Sequence, residues 1–127
     1  MPEISDAAIV SALGRQLNNA VAKQTVAASN LANLDTPGYR TRDVSFDDAL
    51  DSELGSVRRT HASHLAASPG VGEPVDVSGL ASRRDGNNVQ LDRELLALSR
   101  AGGEFSRAQT ALTAKFRLVR YAINEGR

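Results

Sequence analysis

Each end of this 127-residue chain carries one narrow line of apolar residues at helical spacing. The first line runs from about Ser5 to Leu34, and its members follow one another at alternating steps of three and four residues. The second runs from Leu91 to Ile123 with the same alternation. This spacing is that of a coiled-coil seam, which is narrower than the apolar stripe of a globular helix. We therefore predict a mostly α fold in which two long helices pair as a coiled coil.

The seam residues are the ones we expect at helix–helix contacts, both within the chain and between subunits. The first seam comprises Val10, Leu13, Leu17, Ala20, Gln24, Ala27, Leu31 and Leu34. The second comprises Leu91, Leu95, Leu98, Gly102, Phe105, Gln109, Leu112, Phe116, Val119 and Ile123. Gly102 and Gly103 interrupt the second seam, and each glycine costs a helix interior about 1 kcal/mol relative to alanine. We expect a weak point, a kink or a close approach at these glycines.

The first helix runs into a turn that it cannot pass. Pro37 has no amide hydrogen and disfavours the helical conformation at Thr36. Gly38 can adopt the positive φ that a type II turn requires at its third position. The helix is therefore predicted to end near Leu34.

Two asparagines precede this turn on one side of the helix. Asn30 and Asn33 are three residues apart, so their amide groups share a face and can bond nearby backbone or another chain. Together with the turn they form a unit that we call the joint, which consists of Asn30, Asn33, Thr36, Pro37, Gly38 and Tyr39.

The joint resembles a motif of the bacterial flagellar rod and hook proteins, which occurs near the end of their N-terminal helix. The matching residues are Ser-Asn-Leu-Ala-Asn at 29–33 and Thr-Pro-Gly-Tyr at 36–39. Two further stretches are similar to the proximal rod proteins in particular. These are Tyr-Arg-Thr-Arg-Asp-Val-Ser-Phe at 39–46 and Asp-Gly-Asn-Asn-Val-Gln-Leu-Asp-Arg-Glu at 85–94.

The resemblance implies a function and a set of partners. It implies a structural subunit that polymerises through its terminal helices into the proximal rod, the tubular drive shaft that transmits torque and conducts exported subunits. The implied partners are other copies, other rod proteins, the adaptor between membrane ring and rod, and the export apparatus. The implied location is the periplasmic rod of the basal body. Because the first twenty residues lack the basic and apolar regions of a Sec signal, we expect export by the flagellar type III route.

The middle of the chain follows neither helical pattern. Val44 and Phe46 indicate a brief extended piece, and residues 46–54 a short helix. Residues 56–88 contain six large apolar side chains in thirty-three positions, too few to offset the entropy of ordering, so a loop is predicted there. Asp-Gly-Asn-Asn at 85–88 predicts a turn and an N-cap for the second helix. We predict one structural unit with three parts: helix and joint at 1–39, short helix and irregular loop at 40–88, second helix at 89–127.

Catalytic, metal and nucleic-acid functions find little support in the sequence. The chain has no cysteine and a net charge of zero, and no stretch approaches the roughly 18 apolar residues of a membrane span. His61 and His64 lack further ligands at a recognisable spacing, so we interpret them as loop histidines. A paired-carboxylate site could be imagined among Asp43, Asp47, Asp48, Asp51 and Glu53. A solvated face explains these acids better, and we predict a protein that is not an enzyme and binds no cofactor, metal or nucleic acid.

A second function remains open on this evidence. A helical adaptor or regulatory coiled coil could use the seam from Leu91 to Ile123 to bind one partner helix. The adaptor should form a closed dimer with stable helices, whereas a rod subunit should be poorly ordered alone and gain helix on assembly. Two single seams beside a middle with little to bury favour assembly, because a monomer would have little margin of stability.

Overall fold

The structure, a computed structural model, describes residues 6–44 and 74–124. Four elements occur in them: α1 at Asp6–Ala32, β1 at Arg42–Val44, β2 at Pro74–Asp76 and α2 at Leu91–Ile123. The two long helices pack against each other. This arrangement confirms the predicted mostly α fold with paired terminal helices. The short helix predicted at 46–54, the two histidines and the acids from Asp47 to Glu53 lie outside the described residues.

The helices run antiparallel, as two polar contacts at opposite ends show. The Lys115 ammonium lies 2.5 Å from an Asp6 carboxylate oxygen, which joins the start of α1 to the last third of α2. Near the other end, the Asn30 amide donates to the Glu94 carboxylate at 2.8 Å. The chain is thus a long hairpin with the joint at its closed end.

Small side chains fill the space between the helices. The buried apolar residues of α1 and α2 are all alanines: Ala20, Ala27, Ala101 and Ala108. Two valines close to the joint, Val44 and Val89, are the other buried apolar residues of the described chain. Alanine lets two backbones approach, but it removes little apolar surface from water, so this contact contributes modestly to stability.

The first predicted seam faces inward along its whole length. Ala20 and Ala27 are buried, and the other six members of that seam are half-buried. The narrow 3–4 spacing therefore identified the inner face of α1 correctly. Val21, which follows the buried Ala20 in the sequence, lies off this face and is 46% exposed.

The second predicted seam is only partly the inner face of α2. Its buried line is Glu94, Ala101 and Ala108, at intervals of seven residues. Leu98, Phe105 and Leu112 flank this line and are half-buried. The remaining large members of the predicted seam are exposed in the single chain and do not pack between α1 and α2: Leu91, Leu95, Phe116, Val119 and Ile123. Their place at a contact between subunits stays a prediction.

The physical reason is that the helices meet through small residues. The predicted seam ran through Gly102 and Gln109 because they lie at seam spacing between large apolar residues. The buried positions are one residue earlier, at Ala101 and Ala108. Helix α2 runs unbroken through its glycine pair. A Cβ atom on Gly102 would lie 3.5 Å from the side-chain nitrogen of Gln24, the polar member of the first seam. That is an ordinary van der Waals distance to the end of a flexible side chain, so it does not show the expected close approach.

A small antiparallel ladder lies beside the helix pair. In it β1 pairs with β2, with Arg42 opposite Asp76 and Val44 opposite Pro74. The Val77 amide extends the ladder by donating to the Thr41 carbonyl at 2.9 Å. The sequence predicted an extended piece at β1, whereas β2 is a short paired stretch within the segment that was predicted as an irregular loop. The two strands are three residues each, too short for a pattern of alternation to be visible.

Enlarging the alanine contact should destabilise the hairpin. Ala101→Leu adds three carbon atoms at a buried position between two helices, and overpacking of this kind costs about 1–3 kcal/mol. Ala111→Leu, on the exposed side of the same helix, is the matched control and should change the free energy of unfolding by less than about 0.5 kcal/mol. Urea unfolding followed by circular dichroism measures both. Equal stability of the two variants would contradict the assigned inner face.

Candidate functional site

The joint is built around the fully buried amide of Asn30, near the C-terminal end of α1. Its nitrogen donates to the Arg42 carbonyl and to a Glu94 carboxylate oxygen, each at 2.8 Å. Its oxygen accepts from the Arg42 amide at 3.1 Å and from the Tyr39 hydroxyl at 3.2 Å. All four hydrogen-bonding positions of this amide are used, so one side chain links α1, the joint, β1 and α2.

The other joint residues hold the turn. Gly38 has φ 73°, and the Tyr39 amide donates to the Thr36 carbonyl at 3.3 Å across the turn. The Asn33 amide donates to the Ser29 carbonyl at 2.8 Å and its oxygen accepts from the Thr36 hydroxyl at 3.1 Å. Both joint asparagines therefore bond groups of their own chain, one across elements and the other locally.

A second asparagine, Asn87, caps the end of α1 from the opposite segment. Its side-chain nitrogen lies 3.0 Å from the Asn33 carbonyl, 3.1 Å from that of Leu34 and 2.8 Å from that of Thr36. These carbonyls follow the end of the helix at Ala32, and two of them also accept from a backbone amide, the Asn33 carbonyl from Thr36 and the Thr36 carbonyl from Tyr39. The Asn87 side chain is fully buried, so its amide depends on these carbonyls for its hydrogen bonds.

The role of Asn87 corrects the prediction of an N-cap for α2. The residue that precedes α2 is Gln90, which makes no capping bond through its side chain. Asp85 instead accepts from the Asn87 amide at 3.1 Å, which shapes a turn, and Gly86 adopts φ 84°. This turn docks on the joint, because the Gly38 amide donates to the Asp85 carbonyl at 2.9 Å. The sequence located the turn correctly but not what its amide would bind.

Asn88 ties the same segment to the chain beyond the joint. Its side-chain oxygen accepts from the Thr41 amide at 2.6 Å, and its own amide donates to the Tyr39 carbonyl at 3.3 Å. The Asn88 side-chain nitrogen and the Thr41 hydroxyl are buried without a partner among the described residues. The asparagine pair at 87–88 thus fixes the joint from outside the joint's own sequence, and sequence reasoning assigned these residues no part in it.

Charged side chains surround a cleft of about 330 Å³ between α1, β1 and α2. Two ion pairs lie on its lining: Lys23 with Glu104 at 2.8 Å, and Arg93 with Asp43 at 3.6 Å. Asp43 is thereby the one described member of the acidic group considered for catalysis, and it sits in a surface ion pair. No cluster of three metal-ligating side chains occurs in residues 6–44 and 74–124. Nothing in this cleft combines a nucleophile with a base.

The exposed apolar side chains lie mainly on α2, at its two ends. Leu91, Leu95 and Leu96 are 47–50% exposed at the start, next to the joint. At the other end the exposed residues are Phe116, Leu118, Val119, Tyr121 and Ile123. We call these eight residues the α2 apolar face. No helix of the described chain is long and apolar enough to cross a membrane.

The joint glycine and a helix glycine allow a matched test of the turn. A Cβ atom would meet nothing within 4 Å at either Gly38 or Gly103, so only backbone conformation separates them. Gly38→Ala forces a side chain into positive φ and should cost about 1–2 kcal/mol. Gly103→Ala should instead stabilise by up to about 1 kcal/mol. Thermal unfolding measures both changes, and a shift of the same sign would refute the turn assignment.

Asn30→Asp should destabilise the joint strongly. The carboxylate would replace the donating nitrogen that faces Glu94 and the Arg42 carbonyl, so like charges and unpaired acceptors would be buried together. We expect a loss of about 3 kcal/mol or more in the free energy of unfolding. Asn33→Asp is the control, since that amide is half-buried and makes local bonds, and it should cost about 1 kcal/mol or less. Adding Glu94→Gln to Asn30→Asp restores a donor and should recover part of the loss; no recovery would contradict the direct contact.

The sequence model of the family described as "Flagella basal body rod protein" matches residues 10–40, which are most of α1 and the joint. The similar proteins include three that carry the name "Flagellar basal body rod protein FlgB". The Bacillus subtilis protein is 33% identical over 116 residues, covering 80% of this chain and 90% of that protein.

The other two relatives match over a shorter stretch. The Yersinia enterocolitica protein is 36% identical over 92 residues, with 61% of this chain and 66% of that protein covered. The Salmonella typhimurium protein is 37% identical over 90 residues, with 61% and 65% covered. These two matches span slightly less than two thirds of each relative, whereas the Bacillus match spans nearly all of it. The chain belongs to the FlgB family of flagellar basal body rod proteins.

Proposed function

We propose that this chain is a subunit of the proximal rod that polymerises through its terminal helices into a tube, which transmits torque and conducts exported subunits. Family membership supports the coarser part of this statement: the chain is a structural component of the flagellar basal body rod and not an enzyme. The polymerisation and the properties of the tube are our proposal.

The observation that carries the proposal is the α2 apolar face. Eight large side chains of one helix are between 38% and 75% exposed, while the buried apolar side chains of the helix pair are alanines. In such a monomer the large apolar side chains of α2 stay exposed to solvent, although their burial would contribute most to stability. Contacts between subunits would bury them, so assembly supplies the apolar burial that the hairpin lacks.

The joint supports a mechanical role in the assembled rod. Asn30 and Asn87 tie the end of α1 to β1, to α2 and to the turn at Asp85, and both side chains are fully buried. Because hydrogen bonds hold this end in several directions, the helices and the following chain should turn as one body. A load applied to a subunit would then pass between its helices without a flexible hinge.

Partners and location follow from this function as proposals. The contacts of the rod would be other copies of the chain and other rod proteins, with the ring adaptor and the export apparatus at the base. The location would be the periplasmic rod of the basal body, reached by flagellar export without a cleaved Sec signal. The relatives' names support the basal body rod.

Assembly and folding provide the test of this function. Deletion of the gene in a flagellated host should abolish rods and swimming, and the unaltered chain supplied from a plasmid should restore both. The purified chain should be a helical monomer of low stability by circular dichroism, and it should gain helix and stability when it is mixed with other rod proteins. A fully helical, closed dimer from a strain that swims without the gene would favour the adaptor instead.

A further inference from the structure

We propose that the C-terminal end of α2, residues 112–123, binds the surface of an anionic lipid bilayer while the chain is unassembled. We call these residues the α2 tip. The inference goes beyond the proposed rod function and does not depend on it, because it concerns the single chain. The partner is a bilayer surface whose headgroups carry negative charge, in which the helix lies at the interface and does not span the membrane.

An apolar stripe runs along the α2 tip. At about 100° per residue, its four members lie within about 60° of one another around the helix: Leu112, Phe116, Val119 and Ile123. Leu112 is half-buried, whereas Phe116 is 55% and Ile123 75% exposed. The described part of α1 begins at Asp6, which pairs with Lys115, so the last two turns of the tip extend past it. The exposed part of the stripe is therefore open to a partner in the single chain.

Two cations flank this stripe. Lys115 and Arg120 lie about 70° to either side of its centre. Helices that bind at a membrane interface have this pattern, because the apolar side enters the acyl boundary while long basic side chains reach the phosphates. The contact of Lys115 with Asp6 is a surface ion pair, which contributes little to stability and can exchange with a phosphate.

The charge of this part of α2 is entirely positive. From Phe105 to Ile123 the helix has no acidic residue and four basic ones: Arg107, Lys115, Arg117 and Arg120. No ion pair within the described residues involves the three arginines. Each basic side chain close to an anionic bilayer strengthens binding roughly fivefold. Arg117 and Arg120 are thus free to add to the affinity of the tip for anionic headgroups.

The distribution of apolar side chains favours a bilayer over an acidic protein partner. Leu118 and Tyr121 lie about 130–170° from the centre of the stripe, and they are 64% and 55% exposed. A partner helix or groove would cover the stripe or this second side, but not both. Lipid can surround a helix end that tilts into the headgroup region, where the ring of a tyrosine is also favoured.

Lipid binding and subunit contacts would compete for the same side chains. All five exposed residues at this end of the α2 apolar face belong to the tip, and none can contact a bilayer and a neighbouring subunit at once. The bilayer would shield these side chains from water in the unassembled chain. Neighbouring subunits would then displace the lipid.

Vesicle binding of the purified full chain tests the contact. The probes are vesicles of phosphatidylcholine alone and vesicles of phosphatidylcholine mixed with phosphatidylglycerol, at physiological ionic strength. We expect the partition coefficient to be at least about tenfold higher on the anionic vesicles and to fall as salt is added. Equal binding to the two kinds of vesicle, or binding to neither, would overturn the inference.

Two double variants locate the contact on the tip. Arg117→Gln with Arg120→Gln removes two charges from the tip, whereas Arg100→Gln with Arg107→Gln removes two exposed charges from the middle of α2. The first pair should lower the partition coefficient at least about tenfold, and the second less than about threefold. Circular dichroism without lipid verifies that both variants keep the helicity of the unaltered chain. Equal losses of binding would place the contact outside the tip.

A tryptophan reporter separates insertion from attraction at the surface. The chain has no tryptophan, so Tyr121→Trp places one indole in the tip and Ser106→Trp places one at an exposed position outside it. Brominated lipids quench an indole that enters the acyl region. With anionic vesicles that contain them, we expect the Tyr121→Trp variant to lose at least about half of its emission and the Ser106→Trp variant to keep it. An unquenched Tyr121→Trp variant would contradict insertion of the tip.

A soluble polyanion distinguishes the rival partner. If polyglutamate binds the chain where anionic vesicles do not, and binding is lost with Arg117→Gln and Arg120→Gln, the surface serves an acidic protein and the inference is wrong. None of these results bears on the proposed rod function. That function fails on a different observation, namely that the unaltered chain is missing from basal bodies and dispensable for swimming.

Discussion

The hydrogen bonds of the Asn30 amide are the interactions on which the rest of this structure depends. The fully buried Asn30 side chain forms hydrogen bonds with the Glu94 carboxylate in α2 and with the backbone amide and carbonyl of Arg42 in β1. The largest fully buried side chains in the described chain are polar: Asn30, Asn87, Asn88 and Thr41. An interior of this kind specifies geometry more than it contributes free energy, because each bond replaces one to water and gives a net gain of about 1 kcal/mol.

This polar interior explains how an alanine contact can have a defined register. Two helices that meet through Ala20, Ala27, Ala101 and Ala108 could slide by one heptad with little change in buried area. A slide would separate Asn30 from Glu94 and leave a carboxylate and an amide buried without partners, which costs several kcal/mol. Lys23–Glu104 and Asp6–Lys115 add weaker restraints at the surface. The joint thus fixes which residues of α1 lie opposite which residues of α2 along the whole hairpin.

The sequence predicted the parts of this fold that depend on local rules. Helix spacing, the Pro37–Gly38 turn and the inner face of α1 follow from backbone geometry and periodicity, and the structure has each of them. The β1–β2 pair and the cap from Asn87 link residues thirty or more positions apart, for which a single sequence has no signal. The inner face of α2 was misassigned because the prediction placed the largest apolar side chains in the contact between the helices. Here alanines occupy that position.

The large side chains of α2 lie outside the helix pair, which affects both the stability of one subunit and the contacts between subunits. Large side chains at exposed positions of α2 cost the isolated hairpin stability, since Leu, Phe and Ile placed inward would bury more area than alanine. If the face serves assembly, the same residues add their burial only when neighbours are present, so stability rises with the number of contacts made. Joint and face then have separate roles: the polar joint fixes the shape of one subunit, and the apolar face holds subunits to one another. A rod subunit needs both, because a contact surface transmits load only when the body that carries it is rigid.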